Sequence, residues 1–341
     1  MMSRVGEAGR GFMKQFVMGV ALLLASVGSA PVRAEVAPPI EVVTRDVALF
    51  WQVYDRVKAE PDRDRQLLIL QRDYLDQGTP GLAAFAQAKG YDAASYVDAI
   101  RSYPGYWDSV RPRTGLAPDV VVRVDRYLQR FRELYPALKP ATIYFEMGAL
   151  RSAGTTQGDK VLIGAEMATG DHSVDVSQMP ERLQRFFQRY FASRPLDNLD
   201  LLIIHETVHT QEHGERSSLL AQAVYEGVAD FVAEQVTGRL PDLEYVRYGP
   251  LHDAAIRQAF ARDMRGNDYG RWLYNDTSNE FVTSDLGYYV GYAICQAYHR
   301  KSADKAESIR QMIELDFADD AKVQAFVDAS GYFQADVVKS H

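Results

Sequence analysis

The sequence predicts an α+β fold, mainly helical with a small β-sheet. Three observations lead there. Apolar residues recur every three or four positions through much of residues 42–135 and again after about residue 180. Between these regions lie two short runs rich in Ile, Val, Tyr and Leu, bounded by Gly and Pro. The chain is 47% hydrophobic and 25% charged over 341 residues, enough for one large core or two modest ones.

The N-terminus has its own pattern. Met13-Lys14 precedes the apolar run FVMGVALLLASVGSA, Phe16 to Ala30, and Val32-Arg33-Ala34 follows with short residues at the −3 and −1 positions. This is the layout of a secretory signal peptide, too short and too rich in Gly, Ser and Ala at its end to span a membrane. Cleavage is expected after Ala34, leaving a mature protein that is periplasmic or secreted. Removal of residues 1–34 takes away four basic residues and one acidic residue, so the net charge moves from −8 to −11. Such an acidic chain argues against nucleic acid and anionic membrane surfaces as partners. The single cysteine, Cys295, excludes an internal disulfide and sits in the apolar stretch GYAICQAY, where it reads as a buried small hydrophobe.

Residues 35–135 read as a helical N-terminal region. VALFWQVYDRV and VVVRVDRYLQRFRELY carry helical periodicity, and GTPG and YPGYWDSVRPRTG punctuate between them. From residue 136 to the end a second region is expected, opening with the strands KPATIYFEMG and DKVLIGAEM. Next comes PLDNLDLLIIHETVHTQEHG, predicted as a helix over about 197–213, with Asp197 or Asn198 as its N-cap and Gly214 ending it in a left-handed conformation. A further helix is expected over about 217–237.

The first of these two helices carries chemistry. His205 and His209 are four apart, so their imidazoles lie one turn above each other on one face and can reach a single ion at about 2.0–2.1 Å. Glu206 sits beside His205, placed to act as general base towards an attacking water. This is the HExxH pattern of zinc hydrolases, expected by chance about 0.01 times in a chain of this composition. The preceding LLII makes the helix apolar nearly all round, which points to burial.

A catalytic zinc needs a third protein ligand and an open position. Two residues compete. Glu215 lies ten residues after His205, the spacing used in metzincins, although Glu212 stands where that family has a turning glycine. Glu226 lies in AVYEGVADFVAE, an apolar helix in which an isolated carboxylate is costly unless paired or metal-bound. Asp230, one turn on, can accept a hydrogen bond from a histidine and fix its tautomer.

HExxH followed by a second helix with Glu and, four residues later, an acid resembles the gluzincin metallopeptidases, of which thermolysin is the familiar member. The resemblance implies a zincin-like metalloprotease core, with one catalytic Zn²⁺ held by His205, His209 and Glu226. It further implies Glu206 as the base and Asp230 orienting a histidine, His205 by preference. HETVHTQ, YEGVADF, RWLYN and DLGYYVGYAICQAY are together similar to bacterial predicted Zn-dependent proteases related to the gliding-motility lipoprotein. This chain departs from that likeness in lacking a lipidation cysteine.

DLGYYVGYAICQAY has further content. Gly287 and Gly291, four apart, permit close helix packing, while Tyr288 and Tyr292 share a face and are candidate donors to a developing oxyanion. Trp272 and His299 are weaker candidates. The function expected is an exported zinc-dependent peptidase acting on a peptide or protein substrate. The alternative is an exported zinc-containing binding or assembly factor with little turnover. N-terminal sequencing of the exported protein should begin at Glu35, and a soluble cytoplasmic form retaining its first 34 residues would overturn the expected export.

Overall fold

The computed structural model describes residues 41–116, 118–275 and 279–334. The expected signal peptide lies outside them. In chain order the elements begin with β1 (Val42–Val43), α1 (Arg45–Ala59), α2 (Arg63–Leu70), α3 (Pro80–Lys89), α4 (Ala93–Ser102), α5 (Pro104–Val110) and α6 (Pro118–Leu134). The remaining strands follow: β2 (Thr142–Glu146), β3 (Gly154–Gln157) and β4 (Lys160–Gly164). After them come α7 (Ala165–Ala168), α8 (Glu181–Ala192), α9 (Leu199–His209), α10 (Leu219–Thr237), α11 (Glu244–Asp263), α12 (Leu286–Lys301), α13 (Lys305–Ile313) and α14 (Asp320–Ser330). The chain is mainly helical with a small sheet, as its periodicity predicts. Among the described residues no helix is long and apolar enough to cross a membrane.

The sheet has the strand order β1-β2-β4-β3. β1 and β4 run parallel to β2, whereas β3 is antiparallel to β4. Both segments expected as strands are present, as β2 and β4. The other two strands were not expected. β1 has only two residues, and β3 reads Gly-Thr-Thr-Gln, with little of the apolar alternation that marks a strand. What makes β3 is its turn: Gly158, at φ +60°, lets Gln157 pair with Lys160 in a two-residue hairpin. Val161, Leu162 and Ile163 are successive and all fully buried, so β4 is covered on both faces.

α9 packs against β3 and β4 on one side and against α6 and α10 on the other, and α10 in turn packs on α12. Its first turn holds Asp200, 2% exposed, where a negative charge suits the helix N-terminus. Arg123 Nε lies 3.4 Å from that carboxylate, and Arg239 pairs with it as well. α9 ends at His209, four residues before the expected limit, and Gly214 is not its cap. Gly214 does adopt a left-handed conformation, φ +92°, but for another reason. A Cβ there would lie 2.6 Å from the Ala318 nitrogen, beside the bridge between His213 and Asp316. The tertiary contact therefore stops the helix early.

α10 follows the expected range closely. Ser218 accepts a hydrogen bond from the Ala221 N–H at its start, and Gly238, at φ +78°, closes its end. α10 and α12 meet backbone to backbone. A Cβ on Gly227 would lie 2.0 Å from the Gly291 carbonyl carbon, and one on Gly291 would lie 1.8 Å from the Ala223 oxygen. Gly291 thus serves the close packing expected of it. Gly287 instead makes room for the Leu273 side chain, at 2.7 Å. Cys295 is fully buried in α12.

One buried acid stands apart from the rest. Glu146 ends β2, is fully buried, and neither of its carboxylate oxygens has a hydrogen-bond partner. Burial, together with the nearby acids Asp46 and Glu166, pushes its carboxyl up to about 9. The folded protein therefore keeps a proton that the unfolded chain releases near 4.5. Its contribution to stability is full below 4.5 and lost as pH rises towards 9, at about 1.4 kcal/mol per pH unit. Glu146→Met removes this dependence. In urea unfolding, the stability of the variant relative to wild type should rise from pH 5 to pH 8, and a constant difference would contradict the shift.

Candidate metal centre

α9 and α10 bring His205, His209 and Glu226 together. One ligand atom from each lies within 4.8 Å of the others. The two Nε2 atoms are 3.1 Å apart, and Glu226 Oε2 is 3.4 Å from His205 Nε2 and 3.3 Å from His209 Nε2. A tetrahedral ion with ligands at about 2.0–2.1 Å separates them by about 3.3–3.4 Å. The three atoms already stand at that spacing.

The other ring nitrogen of each imidazole is committed. His205 Nδ1 donates to Asp230 Oδ1 at 2.8 Å, and Asp230 Oδ2 accepts from the Tyr245 hydroxyl at 2.8 Å. His209 Nδ1 donates to Glu212 Oε2 at 2.6 Å. With both Nδ1 atoms donating, a neutral imidazole presents a bare lone pair at Nε2. Two such lone pairs and a carboxylate oxygen then face one another with no donor between them, an arrangement that calls for a cation. The residues present fit a zinc ion.

The electrostatics agree. Burial works against charge on His205, but Asp230 and Glu226 outweigh it and hold the imidazole well above its ordinary value. Burial likewise opposes charge on His209, yet Glu212 and Glu226 raise it to about 9. Burial also works against the Glu226 charge, and the two histidines overcome it, so that its carboxyl is held well below the usual range. Without a metal, protons take the position of the positive charge. Metal binding then competes with them, and affinity rises with pH.

The cluster is tightly packed. The Tyr225 ring stacks on His209 with centroids 4.1 Å apart, and the Arg216 guanidinium lies 4.1 Å from the centroid of that Tyr225 ring. Tyr288 stacks against His205 at 6.3 Å. Glu206 is 7% exposed and points towards β3, where a Cβ on Gly154 would lie 2.8 Å from its Oε1. Burial raises the Glu206 carboxyl above its usual range, the two histidines draw it down, Glu226 adds to the rise and Lys89 counters it.

The sequence candidates therefore separate. His205, His209, Glu226 and Asp230 are brought together, with Glu206 on the neighbouring position of α9 and Tyr288 against His205. Tyr292 is not gathered there; its hydroxyl donates to Glu234 at 2.7 Å and its ring packs on Phe231. Trp272 is buried and donates to Asp263, and His299 pairs with Ser308. Glu215 is exposed and outside the cluster. Glu212, read in the sequence only as the residue displacing a glycine, instead holds His209. Its i, i+3 spacing from His209 was the available signal.

Residues 179–319 match a family model described as a predicted Zn-dependent protease (DUF2268). The matched stretch contains every residue of the cluster and supports a zinc-protease family. No curated protein and no solved structure matches the chain. Metal quantitation should find zinc lost from Glu226→Ala and retained in Glu215→Ala, whereas Glu212→Gln should weaken zinc affinity by about 10–100-fold. Zinc loss from the Glu215 variant alone would move the third ligand to that residue.

Proposed function

We propose that this protein is an exported zinc-dependent peptidase of gluzincin type, with His205, His209 and Glu226 as ligands and Glu206 as general base. The observation that carries the reading is the convergence of two Nε2 atoms and one carboxylate oxygen at tetrahedral spacing, with no hydrogen-bond donor among them once both imidazoles are neutral. The matched family description supports the protease class. The apolar run Phe16 to Ala30 supports export.

A zinc ion held by these residues supplies Lewis acidity, polarising a scissile carbonyl and acidifying water. The chain supplies the rest. Glu206, raised by burial, takes the proton from the attacking water and passes it to the leaving amine. Asp230 and Glu212 hold the imidazoles in the tautomers that leave Nε2 free. β3 is an edge strand, so the backbone beside Gly154 offers an extended peptide a place to pair within reach of Glu206. Of the two tyrosines offered as oxyanion donors, Tyr288 is the one whose ring lies against His205.

A second reading has one observation in its favour. The side chains of His205, His209 and Glu226 are only 13%, 6% and 7% exposed. So covered a centre also suits an exported zinc-containing binding or assembly factor with little turnover.

Glu206→Gln separates the two readings. The variant keeps its size and hydrogen bonding but cannot accept the proton. Zinc content should stay near that of wild type, while cleavage of a broad peptide library falls by about 10²–10⁴-fold. A zinc-loaded wild type that cleaves nothing would favour the binding factor, and an unchanged rate in the variant would refute Glu206 as base.

A further inference from the structure

Glu226 has two oxygens with different partners. Oε2 faces the imidazoles. Oε1 accepts from the Tyr274 hydroxyl at 2.5 Å and from Gln222 Nε2 at 3.1 Å. Gln222 Nε2 also donates to the Tyr274 oxygen at 2.9 Å, so amide, phenol and carboxylate close a three-membered ring of hydrogen bonds. Arg216 Nε donates to Gln222 Oε1 at 3.2 Å and fixes the amide orientation.

Gln222 reaches this oxygen from one turn earlier on α10. Tyr274 arrives from elsewhere, on the segment between α11 and α12. Trp272 and Leu273 immediately before it are each 1% exposed, and the Trp272 carbonyl accepts from the Gly287 N–H at 2.8 Å. Tyr274 itself is 62% exposed and adopts φ +56°. A left-handed conformation is unfavourable for an aromatic residue and persists where surrounding structure requires it. Most of the residue is exposed and only its hydroxyl end is enclosed, so packing is a weak reason for the strain. The hydroxyl bond to the carboxylate of Glu226, itself 5% exposed, is a stronger one, because a hydrogen bond to a charged group gains in a buried setting.

We propose that Tyr274 is a positioning residue of the metal centre. Its phenol, delivered by an exposed left-handed residue, holds the outer oxygen of Glu226 so that the inner oxygen stays turned towards His205 and His209. The inference rests on the reading that these three residues hold zinc. Without the phenol, Oε1 keeps a single neutral donor, and the carboxylate can rotate about its last bond and lose its single-oxygen aim.

Tyr274→Phe tests this on the full mature chain with three measurements: zinc affinity by chelator competition, the visible spectrum of the cobalt(II)-loaded protein, and the melting temperature without metal. The zinc Kd should rise by about 10–100-fold, the range for partners that orient a ligand. The cobalt(II) bands should change as the carboxylate reorients, whatever stability the lost hydrogen bond takes from the metal-free protein. Gln222→Ala should act in the same direction, and the double variant should exceed either single one. A Kd within twofold of wild type with a superimposable cobalt(II) spectrum would overturn the proposal. So would a weaker Kd accompanied by a lower metal-free melting temperature and an unchanged spectrum, since that would mark a purely structural role. A wild type that takes up no zinc would remove the underlying reading and this inference with it. A zinc-binding wild type with an insensitive Tyr274→Phe would overturn the inference alone.

Discussion

Two imidazole nitrogens 3.1 Å apart, both turned inward by carboxylates behind them, set the terms for everything around them. Lone pairs do not converge in a protein interior without a positive charge to share. Asp230 and Glu212 behind the rings, Glu226 across from them and Glu206 alongside place four acids around two histidines. With every acid ionised and both rings neutral, the group would carry four negative charges in a largely buried site. A divalent cation halves that excess. In its absence the rings take up protons, which is why both are held above their ordinary values. Proton and metal are alternative answers to one electrostatic demand.

The helices explain why the demand is met at a fixed geometry. α9 packs against β3 and β4 and against α6 and α10, which hold the helix that carries both histidines. Asp200 and its two arginines anchor the first turn of that helix. Early termination at His209 then frees residues 210–214 to fold back, and Glu212 reaches His209 from there.

Much of this was legible in the sequence, for physical reasons. Four-residue spacing on a helix places His205 and His209 on one face whatever surrounds them. Glu226 and Asp230 stood out because carboxylates are expensive in so apolar a helix. Other parts were hidden. Helix α9 lacks a local stop signal at His209, since contact with Ala318, more than a hundred residues later, decides where the chain turns. β3 is a strand by virtue of its hairpin turn and its neighbour, not its composition. Tyr274 lies inside RWLYN, one of the segments similar to predicted Zn-dependent proteases, but its proposed role depends on a backbone conformation that tyrosine rarely adopts and on a partner 48 residues away. Tyr292 shares the helical face of Tyr288, yet one further turn takes it to Glu234. Periodicity assigns a face and leaves open where along the helix the site lies.

The meeting of Gly227 with Gly291 has a consequence for how this protein can change over time. Elsewhere in the core, a lost methylene on one helix can be compensated by a gained one on its neighbour, and the elements drift apart or together in small steps. At this crossing there are no side chains to exchange. Main chain rests on main chain, so the separation of α10 and α12 has no adjustable part, and Glu226, adjacent to the contact, inherits a position that gradual repacking cannot tune. Variation can accumulate around the crossing, but the crossing itself can only be kept or abandoned in a single step.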